Sequence, residues 1–151
     1  LLAWSAAEPR WRSSPVFLYE LEHGVFYGFP DRGSGVKVAE HSGGELAEPD
    51  SLERELREGG LNRVQRFNEA WLEGLEAPHR HAVCMYTMSP DEHFILGPHP
   101  QFSRVFLAAG LSGHGFKFCP VLGEVLAQMM TGQQPLLEVS FLSPARFGGA
   151  R

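Results

Sequence analysis

Three glycines and a lysine mark the stretch best suited to hold a ligand. In AAGLSGHGFKFCP, residues 108–120, Gly110, Gly113 and Gly115 follow an apolar run, Val105 to Ala109. A helical pattern of Val121, Leu122, Val125, Leu126 and Met129 comes next. A strand that feeds a glycine-rich turn and then a helix lets the backbone approach a ligand closely. It also offers free N–H groups with partial positive charge. The spacing Gly110-x-x-Gly113-x-Gly115 is neither the dinucleotide G-x-G-x-x-G nor the phosphate loop G-x-x-x-x-G-K-[ST]. Two readings stand: a tight connection, or a cradle for an anion or cofactor. Lys117 favours the cradle, because a purely structural helix start is better served by Asp or Glu.

A second group lies upstream. GVKVAEH, residues 35–41, alternates apolar and polar, which puts Lys37 and His41 on one strand face and Val36 and Val38 on the other. Such a polar pair is either solvated or part of a site. In a site, a lysine cation stabilises developing negative charge and a histidine orients a group or moves a proton. Cys84 and Cys119 are too few for a zinc set or a disulfide framework. Cys84, in HAVCMYT, is either a small buried hydrophobe or a thiolate nucleophile, and Cys119 reads as packing.

Elements must position these groups. Val16–Glu22 and Val25–Phe29 read as a β-hairpin turned at His23-Gly24, and Gly35–His41 as a half-buried strand. Ser42–Asp50 is a polar loop containing Gly43 and Gly44. Asp50 or Ser51 caps a short predicted helix to Arg57 that Gly59-Gly60 closes. A second helix runs from about Leu61 to Leu75 on a stripe of Leu61, Val64, Phe67, Trp71, Leu72 and Leu75. Arg80–Met88 reads as a strand with Ala82, Cys84 and Tyr86 on one face. Phe94–Leu96 and Arg104–Ala109 read as short strands, Phe116–Thr131 as a helix with Pro120 in its first turns, and Leu136–Phe141 as a last strand. Residues 1–15 read as an irregular lead-in. Strands outnumber helices and the hairpin implies antiparallel pairing. The fold class is α+β, a mainly antiparallel sheet with flanking helices.

Composition narrows the function classes. With 151 residues, 43% of them hydrophobic and 21% charged, the chain can bury a core. Its net charge of -5 argues against a nucleic-acid partner. No apolar run is long enough for a membrane span and no signal peptide opens the chain, so a cytoplasmic setting is expected. The chain starts at Leu1 without methionine and meets Trp4, Pro9 and Trp11 at once, which reads as a piece of something longer.

Several segments together resemble one family. CMYTMSPDEHFILGPHP (84–100) followed by VFLAAGLSGHGFKF (105–118) closely resembles the C-terminal half of the monomeric sarcosine oxidase and N-methyltryptophan oxidase family. These are FAD-dependent amine oxidases of the glycine and D-amino-acid oxidase-like group. GVFYGFP (24–30) and GVKVAEH (35–41) match that family's upstream strands, and FLSPARF (141–147) its ending. The resemblance implies oxidation of a secondary amine or N-methyl amino acid to an imine, with O2 reduced to H2O2. It also implies a dinucleotide fingerprint upstream that these residues lack. A missing N-terminal half is then a partner, and the fragment alone is expected to be inactive. It assigns residues 16–100 to part of the substrate domain and 101–151 to the C-terminal part of the FAD-binding domain.

Residue by residue, the resemblance makes Cys84 the site of covalent flavin attachment and Lys37 the cation that activates O2, with His41 beside it. It makes Lys117 a ligand of the substrate carboxylate and Tyr27 and Tyr86 substrate-site tyrosines. The loop Gly113, His114, Gly115 and Phe116 would approach the flavin. The strand bearing Lys37, the strand bearing Cys84 and the glycine-lined helix entrance would then meet around one ring system. The Tyr27–Lys37 connection is a residue shorter than the family pattern, which bears on the placement of Tyr27. Two alternatives remain: a dehydrogenase that passes electrons to another acceptor, and a non-catalytic fragment. A sheet separated from its partner exposes an apolar edge, so self-association to a homo-oligomer is expected.

Overall fold

A computed structural model of the chain describes residues 1–41 and 44–148. They form two compact units, Leu1–Met85 and a second from Tyr86 onward. The fold is α+β and mainly antiparallel, as expected.

In the first unit, β1 (Leu2–Ala7), β2 (Phe17–Leu21), β3 (Gly24–Phe29), β4 (Val36–His41) and β5 (Leu75–Ala82) make one sheet, with α1 (Asn62–Trp71) beside it. The strand order is β2-β3-β4-β1-β5, and every neighbouring pair is antiparallel. The expected hairpin forms, with Leu21 opposite Gly24, and β4 falls where alternation put it. The lead-in reading of residues 1–15 is corrected: Leu2–Ala7 lies inside the sheet between β4 and β5. Its small inward side chains, Ala3 and Ser5, leave little local pattern, and its conformation comes from the ladders on both sides.

Three further expectations change. The helix predicted over Asp50–Arg57 is only a 3-10 turn at Pro49–Ser51, because so short a segment with no buried residue gains too little to nucleate a helix. The second helix ends at Trp71 rather than Leu75; Gly74 turns the chain at φ +80° and Leu75 opens β5. The strand placed at 80–88 runs instead from Leu75 to Ala82. Pro78 lies within it at an irregularity of the β1 ladder, a position an edge strand tolerates. Of the polar loop 42–50, Ser42 and Gly43 lie outside the described residues.

The core of this unit lies between one sheet face and α1. Ala3, Phe26, Val36, Val38, Val64, Phe67 and Leu72 are its buried members. The rings of Phe26 and Phe67 stack at 4.4 Å between centroids. Arg63 of α1 holds the sheet from outside that core, donating from Nε to Glu40 Oε2 at 2.7 Å and from Nη2 to the His23 carbonyl at 2.7 Å. Because Val36 and Val38 must face inward, Lys37 must face outward. Gly35 sets the start of that register: its φ is +91° and a Cβ there would strike the Ser5 carbonyl.

The second unit pairs β6 (Ile95–Pro98) with β7 (Phe106–Ala109) and packs α2 (Cys119–Met130) against them. Phe94, Leu96, Leu122, Val125, Val139 and Leu142 are its core. Pro120 lies in the first turn of α2 as expected, and Gly132 follows its end at φ +72°. The last predicted strand, Leu136–Phe141, is not one. That stretch leads into 3-10 turns at Ser140–Leu142 and Pro144–Phe147, where Val139 and Leu142 are buried in the core of this unit instead of pairing in a ladder. Among the described residues no helix is long and apolar enough to cross a membrane.

Candidate functional site

In an antiparallel sheet, residues opposite one another share a face. One row across the first unit reads Arg80, Trp4, Lys37, Phe29, and the next reads Ala82, Leu2, Ala39, Tyr27, Leu18. The face turned away from the core is therefore rich in rings and cations. The Lys37 ammonium lies 4.2 Å from the Phe29 ring centroid and 5.7 Å from that of Tyr27. The Arg80 guanidinium lies 4.1 Å over Trp4. His41, also on this face, sets its ring edgewise to Tyr27 at 6.2 Å.

Lys37 is half-buried, and burial pulls its pKa below the ordinary lysine value. The electrostatic influence of Cys84 on the Lys37 amine acts in the other direction. Cys84 follows the end of β5 in irregular chain and is exposed, which excludes its reading as a buried hydrophobe and its strand placement alike. Cys119 is exposed too, and the packing role expected for it is corrected. Its thiol points to the Gly115 carbonyl at 3.8 Å. Sequence reasoning missed Trp4, Phe29 and Arg80. Phe29 was findable, since it stands two residues after Tyr27 on one strand; Trp4 was hidden by the lead-in reading.

The remaining candidates belong to the second unit. The glycine bridge turns through left-handed conformations at Gly110 (φ +55°), Ser112 (+47°) and Gly113 (+77°). A Cβ on Gly113 would come within 2.5 Å of the Tyr86 ring, and one on Gly115 within 2.6 Å of Leu111. These glycines are thus needed for the turn itself, and Tyr86 packs on the bridge. His114 is half-buried, 4.8 Å from the Phe94 ring, with Nε2 3.3 Å from the Glu92 carbonyl. Phe116 and Lys117 stand exposed on the 3-10 turn Phe116–Phe118 that enters α2, with the Lys117 ammonium 5.3 Å from the Phe118 ring.

Of the sequence-predicted residues, Lys37, His41 and Tyr27 share one sheet face, and Cys84 belongs to the same unit. Tyr86 and Gly113 are in contact in the other. A half-buried amine beside rings and an exposed thiol can hold an anionic or electron-accepting planar group and stabilise negative charge near Lys37.

The FAD dependent oxidoreductase (DAO) family model matches residues 3–129. The chain belongs to this family of flavoproteins. It is 44% identical over 134 residues to the monomeric sarcosine oxidase of Bacillus sp. (strain NS-129), covering 85% of this chain and 34% of that protein. Against the N-methyl-L-tryptophan oxidase of Yersinia pestis (strain Pestoides F) it is 35% identical over 154 residues, covering 97% and 41%. The chain therefore spans about a third to two fifths of these relatives. In fold it is similar to the L-proline dehydrogenase of P. horikoshii, with a TM-score of 0.79 at 23% identity over 97% of this chain and 38% of that one. It is also similar to the fructosamine oxidase of Aspergillus fumigatus, at 0.66 and 22% over 89% and 36%.

The residues of the first unit fit the ring end of the family's FAD. They provide aromatic surface, a partly desolvated cation and a thiol open to solvent. They do not fit its dinucleotide end. That end takes a parallel βαβ unit, whereas every strand pair among the described residues is antiparallel.

Proposed function

We propose that this chain is the Lys37- and Cys84-bearing part of a flavin-dependent amine oxidase. The enzyme converts a secondary amine or N-methyl amino acid to an imine, and O2 to H2O2. When bound, FAD supplies the two-electron redox chemistry. The observation that carries the reading is the Lys37 ammonium, half-buried on an aromatic face in the unit that also bears Cys84.

Lys37 holds a fixed positive charge where negative charge grows on dioxygen as it is reduced; partial burial makes that charge more effective than one in water. Cys84 is the thiol that carries the flavin through a thioether. Tyr27 and His41 orient the amine and exclude water from its face. Taken by itself, the second unit offers Lys117 as the residue for an amino-acid carboxylate, beside Tyr86 and the backbone of Gly113, His114, Gly115 and Phe116. The dinucleotide end of FAD is held by a segment outside this chain, so the isolated fragment does not turn over.

The test uses the full-length protein. N-methyl amino acids should yield H2O2 in proportion to amine oxidised, and the tryptic peptide containing Cys84 should carry the mass of the flavin. Turnover with artificial acceptors but no H2O2 would establish a dehydrogenase instead. An unmodified Cys84 with retained activity would remove its role.

A further inference from the structure

Arg146 lies in the closing motif FLSPARF, and each of its five N–H donors finds an acceptor. Nε and Nη2 grip the two Asp91 oxygens at 2.7 and 3.0 Å, and Nη2 also reaches the His93 carbonyl at 3.2 Å. Nη1 donates to the carbonyls of Leu142 and Ser143 at 2.7 and 3.2 Å. No other side chain offers this many donors in a fixed plane. The Arg146 side chain is only 17% exposed.

From Asp91 the contacts run on to the glycine bridge. Asp91 Oδ1 lies 3.1 Å from Ser89 Oγ and accepts from the His93 N–H at 3.2 Å. Ser89 and Ser112 are both buried. The Ser89 N–H donates to Ser112 Oγ at 3.3 Å, and Ser112 Oγ donates to the Gly110 carbonyl at 3.1 Å. A second tie joins the His114 ring to the Glu92 carbonyl. Glu92 (φ +61°) and Ser112 (φ +47°) are the non-glycine residues with left-handed backbone among those described, and they sit on the two loops so joined. Each such conformation is unfavourable by itself and persists only where surroundings enforce it.

We propose that Arg146 is a positioning residue. Through Asp91, Ser89 and Ser112 it holds the strained bridge 110–115 in the conformation that presents Lys117 to a carboxylate. This rests on the reading of Lys117 given above. The network acts on no reacting atom; it fixes where the turn Phe116–Phe118 begins. A lysine at position 146 keeps the charge and loses the fork, so the bridge gains freedom while the unit keeps its core.

The test is made in the full-length holoenzyme with two substrates, an N-methyl amino acid and the matching amine without its carboxylate. R146K should raise KM for the amino acid about tenfold, leaving kcat and the flavin spectrum within about twofold and KM for the amine unchanged. K117M serves as the reference, and D91N, which retains shape and loses charge, should repeat the R146K pattern more weakly should R146K fold poorly. If K117M discriminates between the substrates while R146K and D91N do not, the positioning role is refuted. If K117M itself does not discriminate, the carboxylate reading falls and takes the proposal with it. Equal rises in KM for both substrates in R146K would show general loosening and also overturn it.

Discussion

The two units hold their candidate residues in different ways. On the sheet of the first, Lys37, Tyr27 and His41 stand on regular strands whose facing is dictated by a core on the other side. Moving one outward side chain would mean turning Val36, Val38 or Phe26 into water. In the second unit the bridge has no such parity. It is kept in left-handed conformations by Tyr86 packing on Gly113 and by the Ser89–Ser112 and Asp91–Arg146 contacts. Apolar burial positions the first group and a polar network the second, so the two should fail under different insults.

The sharpest separation comes from the core of the first unit. Phe67 is 2% exposed and stacked on Phe26, so Phe67→Ala should cost about 3–5 kcal/mol. The three tryptophans of the chain, Trp4, Trp11 and Trp71, all lie in that unit. Their fluorescence in a urea titration reads its unfolding, and the midpoint should fall well below wild type. A midpoint within error of wild type would show that the sheet face does not depend on this packing.

Gly113→Ala attacks the other unit. The added methyl meets the Tyr86 ring in a left-handed backbone, at an expected cost of about 1–3 kcal/mol. Far-ultraviolet circular dichroism should record an earlier transition while the tryptophan transition stays put. Coincident shifts in both signals would mean that the two modes of support are not separable.

A smaller effect comes from acid. Hydrogen bonds from Arg146 hold the Asp91 carboxyl far below the usual carboxylate range. A depressed folded-state pKa stabilises above the unfolded value of about 3.9, and that contribution is lost as pH falls below it toward the folded pKa. Wild type should therefore lose stability below about pH 4 more steeply than Asp91→Asn. Equal slopes would show that the pair does not support the fold.

How much of this was legible depended on where the information lay. The hairpin and the facing of Lys37 are local, because alternation over Val36–His41 declares them. The stripe of α1 is local too. β1 was not legible, since Ala3 and Ser5 are small and its conformation is imposed by β4 and β5, far along the chain. Charged and proline-bearing β5 hides for a related reason: an edge strand needs no apolar alternation on its outer side. Cys84 was recognised as a candidate but misplaced on a strand that ends at Ala82. The Arg146–Asp91 contact joins residues 55 apart, and polar partners so distant leave no periodic trace. Only the match of FLSPARF to a family ending pointed there, without saying why.

The central claim is that Lys37 acts on oxygen. Stopped-flow spectroscopy of full-length Lys37→Met measures it directly, by reducing the flavin anaerobically with substrate and then mixing with O2. The account predicts reduction within a few-fold of wild type and reoxidation slowed by about 10²–10³, the loss typical of removing a charge-stabilising donor. Reoxidation at the wild-type rate would contradict it.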